Sequence, residues 1–133
     1  MATSNVIQVT ACDNQLLIFA TQWGYSYQIA NIASGNSNPV DVTITIEEGN
    51  WTQGYSGNNV LGGPLPSTAT VYLPSSDKPY ALNCIGINWG GPFQVDFTVN
   101  GKKYGSGKLN NNPDPDVGIL WSTGSKPIQI TVQ

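Results

Sequence analysis

Hydrophobic and polar residues alternate along several segments of the chain with the period of two that β-strands require. Every second residue of segment 40–47 is Val or Ile, and every second residue of segment 93–99 is Phe or Val. Because successive side chains of a strand point to opposite sides of a sheet, each segment buries one face and exposes the other. Segment 128–132 alternates in the same way and predicts the last strand.

A hairpin is predicted where Asn100-Gly101 directly follows the second of these segments. This dipeptide tolerates the positive φ angles of a type I′ turn, so the chain should return in another strand that starts at Lys102. Weaker strand patterns lie at 6–11, 16–22, 25–31, 68–73, 80–87 and 117–121. No window shows the periodicity of an amphipathic helix.

Stretches rich in Gly, Asn and Pro separate the predicted strands, at 34–39, 54–66, 74–79 and 105–115. Many short strands with turn signals between them predict an all-β fold, a single antiparallel β-sandwich of about eight to ten short strands with long loops. We expect one domain over residues 1–133, because a chain of this length can bury a sufficient core. The loops are then the places to look for function.

The composition favours a binding protein over an enzyme. The chain contains no His and no Arg. Acid–base and nucleophilic catalysis usually needs His, a tuned carboxylate pair or an activated thiol. Glu47 and Glu48 are neighbours on a predicted strand and therefore face opposite sides, unless the strand ends at Gly49. We expect no catalysis and no cofactor.

The charge distribution excludes nucleic acid as a partner. The formal net charge is -3, with five acidic residues and no basic residue in 1–77 and five lysines against three aspartates in 78–133. Nucleic-acid binders concentrate Lys and Arg on one face to neutralise phosphates, and this chain lacks that pattern. Lys102, Lys103 and Lys108 are compatible with a small basic patch, or with charges that keep a strand edge solvated.

Only two cysteines are present, Cys12 and Cys84, and their spacing fits neither a metal site nor a redox pair. Two buried free thiols and a bridge between them both remain open. No segment approaches the roughly 20 apolar residues of a membrane span. The start of the chain also lacks the basic and apolar parts of a signal peptide, which predicts a chain made as a soluble cytosolic protein. Export without a signal, or release on lysis, to act at target-cell membranes remains open.

Aromatic residues beside glycines are the strongest candidates for a binding site. They occur in Trp23-Gly24-Tyr25, in Trp51 with Tyr55 and in Trp89-Gly90-Gly91. Such rings offer a flat apolar face and a polar edge, which suit a sugar or the headgroup region of a bilayer. The alternative is that these rings belong to the core at strand ends.

A cation site is a weaker candidate. The run Asn110-Asn111-Asn112-Pro113-Asp114-Pro115-Asp116 is dense in oxygen ligands, so that Asp114 and Asp116 are weak candidates for holding calcium. Asn-Pro and Asp-Pro are also ordinary turn starters, and the run lacks the ligand spacing of an EF-hand calcium loop. We therefore predict no metal site and keep Asp114 and Asp116 only as weak candidates.

The order of these parts resembles the aegerolysins, small acidic β-sandwich proteins of fungi and bacteria. An early Trp23-Gly24-Tyr25-Ser26-Tyr27 segment, the strand 68–73, a charged Asp77-Lys78 turn and a later Asn88-Trp89-Gly90-Gly91-Pro92 segment carry the resemblance. Tyr25 stands where the family has a lysine. The resemblance implies binding through Trp23 and Trp89, with Tyr25 and Tyr27 in support.

The resemblance also implies a function. It predicts a protein that recognises membrane lipids and recruits a larger pore-forming partner, as the small component of a cytolytic or insecticidal toxin. The candidate residues are Trp23, Tyr25, Tyr27, Trp51, Tyr55 and Trp89. A soluble carbohydrate-binding lectin that uses the same rings is the alternative, and a homo-oligomer is compatible with either function.

Overall fold

Strands account for all the regular structure in a computed structural model that describes residues 4–34, 39–58, 68–107 and 117–133. The strands are β1 (Asn5–Gln22), β2 (Tyr25–Ser34), β3 (Pro39–Glu48), β4 (Tyr55–Asn58), β5 (Thr68–Leu73), β6 (Tyr80–Asn88), β7 (Gln94–Val99), β8 (Lys102–Gly105), β9 (Gly118–Ser122) and β10 (Ile128–Ile130). The predicted all-β fold is confirmed.

The strands form two sheets that share β1. Residues 5–13 of β1 lie between β3 and β7 in the first sheet, whose outer strands are β5 and β8. Residues 14–22 of β1 lie between β2 and β6 in the second sheet, where β4 pairs with β2 while β9 and β10 both pair with β6. The two predicted strands at 6–11 and 16–22 are therefore one continuous strand.

A β-bulge at Thr10 lets β1 serve both sheets. Between Val9 and Ala11 the chain advances by two residues, whereas its partner β7 advances by one, from Phe97 to Asp96. The buried positions consequently change from odd numbers, such as Val9, to even numbers, such as Cys12. A bulge shifts the side-chain alternation by one residue, so both halves of β1 present their apolar side chains to the same interior.

Two edge strands run parallel to their neighbours, β4 beside β2 and β5 beside β3. The remaining pairs are antiparallel. The sequence predicted an antiparallel β-sandwich without indicating these two parallel pairs, because alternation reports which face of a strand is buried and not the direction of its partner. The predicted loop 54–66 was likewise wrong at its start, where β4 forms.

The inner faces of the two sheets meet in one hydrophobic cluster. Gly86 of β6 lets side chains of the facing sheet approach its backbone closely, because a Cβ at that position would lie 2.8 Å from Cζ of Phe93 and 3.0 Å from Cγ2 of Val95. Farther along, the ring of Phe97 contacts that of Trp121 on β9 edge to face, with centroids 5.6 Å apart. The end of this core between β1, β2 and β6 positions the candidate site.

Candidate functional site

Trp23 projects from the tip of a tight hairpin at one end of the sandwich. Gln22 and Tyr25 form the last pair between β1 and β2, so Trp23 and Gly24 are the two turn residues, and Gly24 adopts a positive φ of 82°, as glycine does at the second central position of a type II turn. The Trp23 side chain is 100% exposed, and that of Tyr25 is 65% exposed. We call this end of the molecule the aromatic end.

Tyr25, Tyr27 and Trp51 form a row of rings at the aromatic end. Tyr25 and Tyr27 project from the same side of β2, and their rings are nearly parallel, 7° apart with centroids separated by 6.4 Å. The Trp51 ring lies 6.0 Å from that of Tyr27. On its inner side Tyr27 contacts the buried ring of Tyr80 at 6.3 Å, which connects the exposed rings to the core.

Trp51 borders a shallow depression of about 400 Å³ that Gln28, Gln53, Gly54 and Ser56 complete. Its indole Nε1 donates a hydrogen bond to the carbonyl oxygen of Gln28 at 3.1 Å, which fixes the ring against β2. Gly54 permits this arrangement, because a Cβ there would overlap the same carbonyl oxygen. The depression therefore combines one aromatic face with amide and hydroxyl groups.

A second depression of about 320 Å³ lies between the Trp23 hairpin and the turn that precedes β6, and Lys78 and Pro79 line its far side. Gln22 holds that turn in place, because its Nε2 donates hydrogen bonds to Ser76 Oγ at 2.9 Å and to the Lys78 carbonyl oxygen at 3.0 Å. Lys78 therefore lines the same depression as the exposed residues Trp23 and Tyr25.

Tyr55, which the sequence grouped with Trp51, lies in the core. It is the first residue of β4, pairs with Ala30 and is only 5% exposed. Burial raises the pKa of its hydroxyl above the ordinary value. Tyr55 therefore cannot offer a face to a ligand, whereas Tyr80, which sequence reasoning did not select, supports the row from inside.

Trp89 lies at the opposite end of the second sheet. Its indole Nε1 donates to Oε1 of Gln15 at 2.8 Å, and its backbone N–H donates to Oδ1 of Asn14 at 3.0 Å. Because Thr21 pairs with Ala81 near the aromatic end and Gln15 pairs with Ile87, about 20 Å of strand separates the two regions. The structure does not bring Trp89 together with Trp23, although its side chain is also 65% exposed.

Both cysteines are free thiols with no exposed surface. Burial raises the pKa of Cys12 to about 12, with a further increase from the neighbouring Asp13 carboxylate. Burial alone raises that of Cys84 to about 12. The disulfide that the sequence left open is absent, and thiols that stay protonated at neutral pH are poor nucleophiles and poor metal ligands.

No group of three His, Cys, Asp or Glu side chains that could hold a metal ion occurs in the part of the chain that the structure describes. Asp114 and Asp116 lie outside the described residues, as does Lys108, so the cation site and the full basic patch stay untested. Within the same described ranges, no helix has the length and apolar character to cross a bilayer.

No protein-family model, curated protein or solved structure matches this chain. The resemblance to aegerolysins therefore stays a prediction.

Proposed function

We propose that the protein attaches to the surface of lipid membranes through its aromatic end. The observation that carries this proposal is the fully exposed indole of Trp23 at the tip of a rigid hairpin, with Tyr25 beside it. Amphipathic rings of this kind prefer the headgroup region of a bilayer, where the apolar face is buried and the polar edge stays wet. Attachment by surface rings requires no membrane span.

The energetics support reversible attachment. Removing a large ring from water contributes about 2 kcal/mol, and Trp23 and Tyr25 together contribute about 3 to 5 kcal/mol. Lys78, on the edge of the same depression, adds about 1 kcal/mol near an anionic leaflet. Tyr27 packs against Tyr25 and Trp51, so the rings behind the tip are already ordered and little conformational freedom is lost on binding.

Trp23→Ala tests the proposal most directly. It should weaken binding to vesicles of phosphatidylcholine with sphingomyelin, cholesterol or phosphatidylserine by about 30-fold, the equivalent of about 2 kcal/mol. The free energy of unfolding should stay unchanged, because the Trp23 side chain has no buried surface. Co-sedimentation with vesicles and urea unfolding measure the two quantities.

Trp89→Ala is the matched control, since Trp89 is a comparably exposed indole at the opposite end of the second sheet. A flat bilayer that contacts the aromatic end cannot reach it. Equal loss of vesicle binding in both variants, or failure of the wild type to sediment with any of these vesicles, would show that the aromatic end is not a membrane-binding site.

A glycan-binding function is the second candidate, and the depression beside Trp51 favours it. Gln28, Gln53 and Ser56 supply amide and hydroxyl groups that can pair with sugar hydroxyls next to an aromatic face. We expect Trp51→Ala to abolish binding on a glycan array while Trp23→Ala retains it. A wild-type protein that binds no glycan on the array removes this candidate.

Recruitment of a larger pore-forming partner stays a prediction from the resemblance alone. Once membrane attachment has been demonstrated, lysis of vesicles by such a partner can be compared with wild-type and with Trp23→Ala protein. Recruitment by the membrane-bound protein predicts lysis with the wild type and not with the variant.

A further inference from the structure

The outer face of the second sheet has no charged side chain among the residues that the structure describes there. We call it the uncharged face. Alternation along the strands places the following residues on it: Gln15, Leu17, Phe19 and Thr21 of β1, Asn31 and Ala33 of β2, Ala81, Asn83, Ile85 and Ile87 of β6, and Ile119 of β9.

The centre of the uncharged face is apolar. Leu17 pairs with Ile85 across β1 and β6, and Ile87 pairs with Ile119, whose side chain is 63% exposed. An antiparallel sheet with one solvated face normally alternates apolar inward and polar outward residues. β1 and β6 instead carry aliphatic or aromatic residues on both sides at these positions, which indicates that the outer side is also covered.

Neutral polar groups surround this apolar centre. Nε2 of Gln15 donates to Oδ1 of Asn31 at 2.8 Å, and Nδ2 of Asn83 donates to Oγ1 of Thr21 at 2.9 Å. The Trp89 indole bonds to Gln15 and therefore lies at the border of the face. An apolar centre without charged residues and a polar rim are typical of protein–protein interfaces.

The outer face of the first sheet, unlike the uncharged face, carries charged side chains. Its outward positions include Asp41 and Glu47 of β3, Asp96 of β7 and Lys103 of β8. Each sheet thus exposes one broad face, and only one of these faces is free of charge. The alternation of buried and outward residues does not by itself explain this difference in charge, because the strands of both sheets alternate in the same way.

We propose that the uncharged face is the interface of a homodimer, in which the second sheets of two copies stack. Two chains of net charge -3 repel each other in general, but the outward strand positions named above bring no ionised side chain into the contact. The amides of Gln15, Asn31 and Asn83 each carry a donor and an acceptor, so identical faces can pair across a two-fold axis.

The size of the face sets the strength of this dimer. Five strands about 4.8 Å apart and about seven residues long give roughly 550 Å² of flat area per copy. Standard stable interfaces bury about 800 Å² per partner, so the dimer falls at the small, concentration-dependent end of the range. Stacked sheets lie about 10 Å apart, which lets side chains such as Leu17 and Ile119 interdigitate.

A second copy fits this face better than a bilayer does. Trp23 marks an end of the strands, whereas the uncharged face extends along them. A bilayer that meets the aromatic end therefore leaves the uncharged face free. The dimer proposal does not depend on membrane attachment and can fail or succeed independently of it.

Sedimentation velocity of the full chain from about 1 µM to about 1 mM, in the absence of lipid, tests the dimer. The wild type should shift from monomer to dimer across this range. Ile119→Lys should raise the dissociation constant at least tenfold, because it brings two like charges together at a two-fold interface. Its thermal unfolding should match that of the wild type, since Ile119 is largely exposed.

Val6→Lys is the matched control, because Val6 is an exposed aliphatic residue on the outer face of the first sheet, 38% accessible. It should leave the dissociation constant unchanged. A wild type that is monomeric throughout the range overturns the proposal, as does equal weakening by both variants. Loss of vesicle binding in Ile119→Lys, without a change in oligomeric state, would assign the face to lipid and also overturn it.

Discussion

Above pH 9 the protein is expected to lose stability steeply, because both of its thiols titrate at a much higher pH in the folded state than in the unfolded chain. The pKa of Cys12 and that of Cys84 are raised from 9.0 to about 12. Below pH 9 the folded and unfolded states both keep these protons, and the full stability is present. As the pH rises from 9 to 12, only the unfolded chain releases them, so unfolding becomes more favourable.

The expected slope is large. Each thiol lowers the free energy of unfolding by a little over about 1 kcal/mol per pH unit in this window, so two thiols together lower it by about 3 kcal/mol per unit. Typical domains have only roughly 5 to 15 kcal/mol of stability, so titration of the two thiols between pH 9 and pH 12 is expected to remove a large part of it. Urea unfolding at half-unit intervals from pH 8 to pH 11 measures this slope.

A Cys12→Ala/Cys84→Ala double variant separates the thiols from other alkaline effects. It should be less stable at pH 8, because each substitution removes a buried sulfur, but its stability should decline much less between pH 9 and pH 10. The hydroxyls of Tyr55 and Tyr80, whose pKa values burial also raises, add a decline at still higher pH in both proteins. Parallel pH profiles for wild type and variant would contradict the assignment to Cys12 and Cys84.

Much of the strand content could be predicted from local sequence patterns. The alternation at 40–47 and 93–99 corresponds to β3 and β7, and Asn100-Gly101 forms the predicted hairpin with φ angles of 51° and 86°. These features depend on neighbouring residues alone: a period of two and the backbone preferences of two amino acids. They are therefore visible without knowledge of the tertiary structure.

The features that escaped prediction depend on contacts between distant residues. The bulge at Thr10 is defined by how β1 pairs with β3 and β7, and the parallel direction of the edge strands is defined by how β4 pairs with β2 and β5 with β3. Nothing in the local alternation encodes either one. A register shift moves side chains to the other face, which is why β1 looked like two strands rather than one.

The candidate site was predicted only in part, because local patterns show where a turn occurs but not which distant residues lie beside it. A glycine beside an aromatic residue indicates a turn, and this placed Trp23 correctly at an exposed tip. The pattern does not report which end of the sandwich a turn occupies, so Trp89 was grouped with Trp23 although strand pairing separates them. It also does not distinguish Tyr55, at the start of a buried edge strand, from a loop residue.

Gly105→Ala should be among the most destabilising single substitutions in the protein. Gly105 ends β8 with a φ of 132°, a conformation that residues with a Cβ rarely adopt. An added Cβ would overlap the carbonyl oxygen of Val95 and lie 2.7 Å from Oδ1 of Asp96. Both oxygens already accept hydrogen bonds that a displacement would break. The Val95 carbonyl oxygen accepts the Ser106 N–H at 2.7 Å, and Asp96 Oδ1 accepts the Gly107 N–H at 2.9 Å.

Gly101→Ala in the same hairpin is the matched control. Gly101 also has a positive φ, 86°, but an added Cβ there would meet no atom within 4 Å. The control measures the backbone strain alone, about 1 kcal/mol, whereas Gly105→Ala adds steric overlap and lost hydrogen bonds and should cost on the order of 4 kcal/mol. Urea unfolding of the two variants gives the difference. Equal losses would mean that the backbone around Val95 yields to the added methyl group, and that the end of β8 is not held rigidly against β7.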